Sequence, residues 1–225
     1  MEPGRENPFL QSFLPFQRRI QHHGILNSLG QTLLKLTAPG LPDFYQGTEL
    51  WDLSLVDPDN RRPVDFGRRG VLLKELQTRL TGNNVQQLIA ELLAAPEDGR
   101  LKLFLIHRAL RARRAESELF QHGAYQKLTV IGSLEGHVVA FARALGQQRA
   151  LVVVPRFSTG LVKNGEYPLG EAVWHETRVL PPPGSRLRWR DALTGRTVRG
   201  EEALWLREVL ELFPVALLVN APDQD

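Results

Sequence analysis

Residues that could bind a sugar are concentrated between positions 43 and 66 of the chain. A sugar presents hydroxyl groups and apolar C–H faces, so its site needs aromatic surfaces beside fixed carboxylates, amides and guanidinium groups. This segment contains both kinds of side chain: Asp43, Phe44, Tyr45, Gln46, Glu49, Trp51, Asp52, Asp57, Asp59, Asn60, Arg61, Arg62 and Asp65. The composition of the segment is compatible with two interpretations: a carbohydrate-binding site, or an ordinary salt-bridged loop with buried aromatic residues.

The carboxylates of the same segment suggest two other kinds of chemistry. Cleavage or transfer of a glycosidic bond needs two carboxylates that flank it, and spacing in a loop does not show which two converge. Residues 57–60 begin like a calcium-binding loop, but Arg61, Arg62 and Arg68 stand where the helix–loop–helix pattern needs a ligand, a glycine and a glutamate. That calcium loop is therefore excluded, whereas a looser calcium site and mutual salt bridges remain alternatives.

Composition limits the classes of partner and of cofactor. The chain has 225 residues, no cysteine and a net charge of +3, so a disulfide framework, a thiolate metal site and a cysteine nucleophile are excluded. This small charge does not predict a nucleic-acid partner. The six histidines lack zinc-ligand spacing, and we expect no metal and no cofactor. Without a signal-like start or a run of ~18 apolar residues, we expect no membrane partner and a cytoplasmic location.

The first half of the chain has the periodicity of helices. Apolar residues recur at steps of three and four over residues 16–36, which predicts an amphipathic helix that ends at Pro39-Gly40. Further helices are predicted over 71–80, 85–93 and 101–120. Residues 41–45 form a short apolar run, which predicts a brief buried strand opening into the loop that carries the candidate site.

Beyond Gly123 the apolar period changes from about 3.6 to 2, which is typical of strands. Strands are predicted over 127–131, 138–144, 150–154, 172–175, 186–190 and 215–219. In the fifth of these, Leu187 and Trp189 should share one face. The pattern favours an antiparallel sandwich and two domains, a mainly helical one over 1–123 and a β domain over 124–225. The tryptophans of the second domain, Trp174, Trp189 and Trp205, favour core packing, with a starch-binding platform as the alternative.

The sequence of residues 40–49, GLPDFYQGTE, resembles a segment of a known family. It resembles the G-x-P-x-x-Y-x-G-x-E segment around the eighth barrel strand in the α-amylase family of glycoside hydrolases and transglycosylases. Residues 57–65 resemble the stretch that follows it in that family, and residues 27–36 resemble the preceding helix. Residues 191–196 and 212–218 resemble turns and strands of the family's terminal β-sandwich.

The resemblance implies an α+β chain: the last strand and helix of a (β/α)8 barrel, followed by an antiparallel β-sandwich. Enzymes of this architecture place their active site at the carboxyl ends of eight strands, of which one is identified here. The nucleophilic aspartate, the acid/base glutamate and the third aspartate would then belong to earlier strands. We therefore assign no catalytic residue in this chain and expect it to be an inactive C-terminal part of a longer enzyme.

The same resemblance implies an activity and a set of substrate-binding residues. It points to an isomerase that turns the reducing-end α-1,4 linkage of a maltooligosaccharide into an α,α-1,1 linkage, by retaining transglycosylation. Either Tyr45 or Trp51 would then pack on a sugar face. The residues expected either to bond hydroxyl groups or to brace this side of the sugar site are Gln46, Glu49, Asp57, Asp59 and Arg61. A stand-alone carbohydrate-binding or structural module, and part of a hydrolase of the family, remain alternatives.

One structural consequence follows from an incomplete barrel. If the first helix evolved to cover a barrel, its apolar face at Ile25, Leu29, Leu33 and Leu36 would lose its neighbours in this chain. This face would then be exposed unless it is buried in another way, either by self-association of the chain or by a rearrangement of residues 1–70.

Overall fold

The computed structural model describes residues 7–82, 84–185, 188–200 and 202–220. Helices fill most of the first half and include two short later ones: α1 (Pro8–Thr37), α2 (Phe66–Leu80), α3 (Val85–Ala94), α4 (Arg100–Ala115), α5 (Ser117–His122), α6 (Glu171–Trp174) and α7 (Leu206–Val209). The strands are β1 (Ala124–Lys127), β2 (Thr129–Ile131), β3 (Val138–Leu145), β4 (Gln148–Pro155), β5 (Arg178–Leu180), β6 (Arg188–Asp191), β7 (Thr197–Arg199), β8 (Leu204–Trp205) and β9 (Ala216–Asn220).

The strands form two antiparallel sheets. One has six strands in the order β1-β3-β4-β9-β6-β7, and the other has three in the order β2-β5-β8. Strand β3 pairs with β4 from Val138 opposite Pro155 to Leu145 opposite Gln148, as a tight hairpin requires. The predicted combination of helices with antiparallel sheet is confirmed at this level.

The six-stranded sheet lies between the helices and the smaller sheet. Along strand β4, Ala150, Val152 and Val154 join the core shared with the helices, whereas Leu151 and Val153 join the core shared with the small sheet. Alternate side chains of a strand point to opposite faces, so both faces of this strand are buried. The helical core contains residues from both sides of position 123, and the division into two domains there stays a prediction.

Helix α1 precedes the segment that carries the candidate residues and packs against the core. Its N-cap residue Asn7 accepts hydrogen bonds from the first turn, and its second half packs on helix α4 and strand β4. The face predicted to be uncovered is instead buried, with Ile25 at 7% exposure and Leu29, Leu33 and Leu36 at 0%. The predicted loss of neighbours is therefore wrong, because α4 and β4 cover this face, whereas self-association of the chain stays a prediction.

Four predicted elements need correction. The strand predicted over 127–131 is interrupted at Leu128, which separates β1 of the large sheet from β2 of the small one. Residues 41–45 form no strand, since Leu41 is 91% exposed and no described strand pairs with them. Residues 172–175 lie mostly in helix α6 instead of a strand, because their short apolar run suits either structure. The predicted helix over 101–120 breaks at Glu116 into α4 and α5. Leu187, predicted to share a face with Trp189, lies outside the described residues.

Unlike its buried second half, the first half of α1 exposes large apolar side chains to solvent. Phe9, Phe13, Phe16 and Ile20 are between 41% and 65% exposed along the turns that precede the buried half. Among the described residues, no helix has both the length and the apolar character that a bilayer span requires.

Two adjacent histidines fix α1 to the loop that follows strand β4. The Nε2 atom of His22 lies 2.7 Å from the carbonyl oxygen of Glu166, and Nδ1 of His23 shares a hydrogen bond with Ser158 Oγ at 2.9 Å. Both histidines are nearly inaccessible to solvent. Burial lowers the pKa of His23, and electrostatic repulsion from His22 and Arg19 lowers it further. The fold therefore favours the neutral imidazole.

We expect acidification below pH 6.5 to weaken the fold through His23. An unfolded histidine takes up its proton near pH 6.5, whereas folded His23 resists protonation, so the unfolded state is stabilised as pH falls through that value. Urea unfolding at pH 7.5 and 5.5 measures this loss, which should be smaller in His23→Gln. His122→Gln is the control because His122 is exposed; equal losses in His23→Gln and the wild type would contradict the prediction.

Candidate functional site

Tyr45 lies on a surface turn after α1. The turn is closed by Thr48, whose backbone N–H and Oγ1 both donate to the carbonyl of Tyr45, at 3.1 and 2.7 Å. Gly47 has φ of 95°, a conformation that favours glycine. Tyr45 is 48% exposed and Gln46 is also exposed, so both side chains are available to a ligand.

Glu49 is engaged with protein groups. Its Oε2 accepts hydrogen bonds from Arg69 Nε on helix α2 at 3.0 Å and from the backbone N–H of Gly47 at 3.1 Å. Arg69 also donates to the carbonyls of Gly47 and Asp65. Glu49 therefore holds the Tyr45 turn against α2, whereas its part in a sugar-binding site stays a prediction.

Asp57, Asp59 and Arg61 lie on a solvent-exposed loop and pair locally. Arg61 forms a two-point ion pair with Asp57, one contact of which measures 2.8 Å. Asp59 pairs with Arg62 and accepts the N–H of Leu55 at 2.8 Å. Exposed pairs of this kind contribute little stability, about 0–1 kcal/mol. Among the described residues, no three histidine or acidic side chains are grouped so as to hold a metal ion.

Trp51 is the most firmly positioned of the candidate residues. Its indole Nε1 donates to the carbonyl of Pro96 at 2.6 Å, and the Lys102 ammonium lies 5.5 Å from its ring centroid. Burial lowers the pKa of Lys102, and the positive charge of Lys35 adds to this. Asp52 accepts from Ser54 Oγ at 2.6 Å and from its N–H at 2.9 Å, and these hydrogen bonds lower the Asp52 pKa.

Trp51 and Asp52 form one wall of a cleft of about 630 Å³, whose opposite wall is helix α1. The cleft is lined by Phe13, Phe16, Gln17, Ile20, Gln21, Gly24, Ile25, Ser28, Trp51, Asp52, Leu53, Glu97 and Lys102. Of the seven predicted binding residues, only Trp51 lines it. No sequence pattern pointed to Lys102 or the two glutamines, because they come from helices that are distant in sequence from Trp51.

The tryptophans of the β region have two different environments. Trp174 and Trp189 are 0% exposed and lie in the core between the sheets, which confirms core packing for both. Trp205 is partly exposed, between the guanidinium groups of Arg178 at 5.1 Å and Arg207 at 4.8 Å. The three residues thus do not form a shared aromatic platform.

Comparison with known proteins identifies relatives over nearly the whole chain, although no family model matches it. A Mycobacterium tuberculosis protein named as a maltooligosyl trehalose synthase is 38% identical over 218 residues, covering 96% of this chain and 23% of that protein. The structure of maltooligosyltrehalose synthase from Arthrobacter ramosus is 36% identical with a TM-score of 0.72, covering 96% of this chain and 25% of that one. Another maltooligosyl trehalose synthase structure is 27% identical with a TM-score of 0.68 and the same coverage. The chain thus spans about a quarter of the length of these relatives.

Proposed function

We propose that the chain, which is similar to maltooligosyl trehalose synthases over 96% of its length and spans about a quarter of theirs, is a non-catalytic part of such an enzyme. The enzyme would convert the reducing-end α-1,4 linkage of a maltooligosaccharide to an α,α-1,1 linkage. The observation that carries the proposal is the 38% identity over 96% of this chain. The C-terminal position, the cytoplasmic location and the β-sandwich form of the strand region are parts of the same proposal.

The chemistry explains what a non-catalytic part would contribute. In a retaining transfer, a carboxylate forms a glycosyl-enzyme intermediate, and the released glucose must be kept, turned and used as the acceptor. Entry of water at this stage would release free glucose instead of the rearranged product. A wall that holds the glucose and excludes water is therefore as important as the attacking carboxylate.

Residues 41–45 and the turn after them would form part of this wall. Tyr45 and Gln46 would then contact sugar, whereas Glu49 and Arg69 would position them through their hydrogen bonds. Asp57, Asp59 and Arg61 would brace the neighbouring loop.

A chimeric enzyme tests the proposal. The matching segment of the Arthrobacter ramosus synthase is replaced by this chain, and the product from maltopentaose is examined. We expect a non-reducing product from the chimera and no turnover from the isolated chain. Reducing sugars alone would favour the hydrolase alternative, and turnover by the isolated chain would contradict the assignment of the catalytic carboxylates to other sequence.

We expect Tyr45→Ala to lower kcat/KM of the chimera about tenfold, because loss of an aromatic contact with a sugar face costs about 1.4 kcal/mol. Kinetics with maltopentaose measure the effect. Tyr125→Ala is the matched control, because Tyr125 is 51% exposed but lies on strand β1. Equal kinetics for the Tyr45 variant and the unchanged chimera would remove Tyr45 from the proposed wall.

A further inference from the structure

The cleft between α1 and residues 51–53 has the chemistry of a sugar-binding site. We propose that it binds a glucose unit of an α-glucan, with the rings of Phe16 and Trp51 against the sugar face and Asp52 and Gln21 bonding hydroxyl groups. The choice of α-glucan rests on the proposed function, whereas the choice of a neutral sugar rests on the cleft itself. Its volume of about 630 Å³ falls within the range of small-molecule sites, roughly 300–1,000 Å³.

The apolar side of the cleft is both exposed and pre-arranged. Phe13 and Phe16 line the cleft and are 41% and 52% exposed in this chain. The indole of Trp51 is fixed by its hydrogen bond to Pro96 and by packing against the helical core. A ring held in place before binding loses little conformational entropy when a ligand stacks on it.

The polar side favours a neutral ligand. The charged residues that line the cleft are the carboxylates of Asp52 and Glu97 and the ammonium of Lys102, so neither sign dominates strongly. A phosphate would meet two carboxylates, whereas a hydroxyl group can donate to Asp52 and accept from Lys102. Gln17 Nε2 donates to Gln21 Oε1 at 3.0 Å, which orients the Gln21 amide and leaves its NH₂ group to donate.

Gly24 keeps the floor of the cleft open. It lies within α1, and a Cβ added there would meet no atom within 4 Å. Glycine inside a helix costs about 1 kcal/mol relative to alanine, so helix stability alone favours any ordinary side chain at this position. A longer side chain at Gly24 would project into the space that the sugar would occupy, without disturbing the core.

Titration calorimetry of the 225-residue chain with maltotetraose tests the proposal. We expect saturable binding that Gly24→Leu weakens at least tenfold and that Gly70→Leu leaves unchanged. Gly70 is the matched control, because it is a helical glycine of α2 whose added Cβ also meets nothing within 4 Å. Phe16→Ala and Phe9→Ala form a second pair: both residues are exposed on α1, but only Phe16 lines the cleft. Cellotetraose, which has β linkages, tests selectivity.

The outcomes separate this inference from the proposed function. Loss of binding in Gly24→Leu and Phe16→Ala, with binding kept in their controls, supports the cleft. Absence of binding by the wild type, or equal binding by all four variants, overturns it even if the chimera is active. Binding at the cleft by an otherwise inactive chimera would instead overturn the proposed function and leave the sugar site in place. Equal affinity for cellotetraose would overturn the α-glucan assignment.

Discussion

Arg143→Met is expected to destabilise the fold by about 3–5 kcal/mol, because it removes the shared donor of three backbone carbonyls. Arg143 is 1% exposed and extends from strand β3 toward the helices. Its guanidinium donates to the carbonyl of Thr37 at 3.1 Å, of Phe120 at 3.1 Å and of Gly123 at 2.7 Å. Methionine fills similar space but donates no hydrogen bond, so the buried carbonyls of Thr37 and Phe120 and the partly buried one of Gly123 would lose this partner.

The charge of Arg143 is balanced by helix ends. Thr37 is the last residue of α1, and Phe120 and Gly123 lie at the end of α5. The carboxyl end of a helix carries a partial negative charge and up to four unpaired carbonyls, so a guanidinium there is favourable. Burial lowers the pKa of Arg143, as does the nearby positive charge of Arg113, but arginine still remains protonated.

Urea unfolding followed by far-UV circular dichroism measures the loss. Arg149→Met is the control, because Arg149 lies on the paired strand β4 and, among the described residues, donates to the nearby carbonyls of Gly146 and Gln148 alone. We expect the control to change the free energy of unfolding by less than about 0.5 kcal/mol. If Arg143→Met and the control unfold at the same urea concentration, the hydrogen bonds from the guanidinium to the three carbonyls do not stabilise the fold.

Much of the fold follows from local periodicity. The helix predicted over 16–36 and strands predicted over 138–144 and 150–154 correspond to α1, β3 and β4, because each buries a face whose spacing is visible in the sequence. The apolar runs at 41–45 and 172–175 are too short for periodicity to separate strand from helix or coil. A strand at 41–45 also needs neighbouring strands, which are contacts that no local pattern contains.

For the candidate site too, the kind of chemistry could be predicted from the sequence, whereas the contacts between its residues could not. The side-chain types in 43–66 predicted chemistry suited to sugars, but not which residues would be committed to each other. Glu49 is committed to Arg69, which is twenty positions away, and Trp51 to the carbonyl of Pro96. The cleft itself depends on α1 lying opposite Trp51, a tertiary arrangement with no signature in either segment.

Gly30→Leu is expected to cost about 3 kcal/mol, because α1 passes very close to the large sheet at this residue. A Cβ added at Gly30 would lie 2.8 Å from Val154 Cγ1, closer than real Cβ contacts come, and 3.8 Å from the carbonyl oxygen of Pro155. Val154 cannot easily turn away, since it is 3% exposed on strand β4 and its branched side chain has few rotamers. Gly24→Leu on the same helix should instead gain up to about 1 kcal/mol, because its Cβ meets nothing.

Removing the obstructing methyl groups separates this steric cause from an effect of glycine on the helix. Val154→Ala alone should destabilise the core by creating a cavity, but combined with Gly30→Leu it frees the space that the new side chain needs. We expect the double variant to be at least about 1 kcal/mol more stable than the sum of the two single changes predicts. Urea unfolding of the wild type, the two single variants and the double variant measures this coupling. Additive losses would show that the close approach of α1 to β4 is not what requires glycine at position 30.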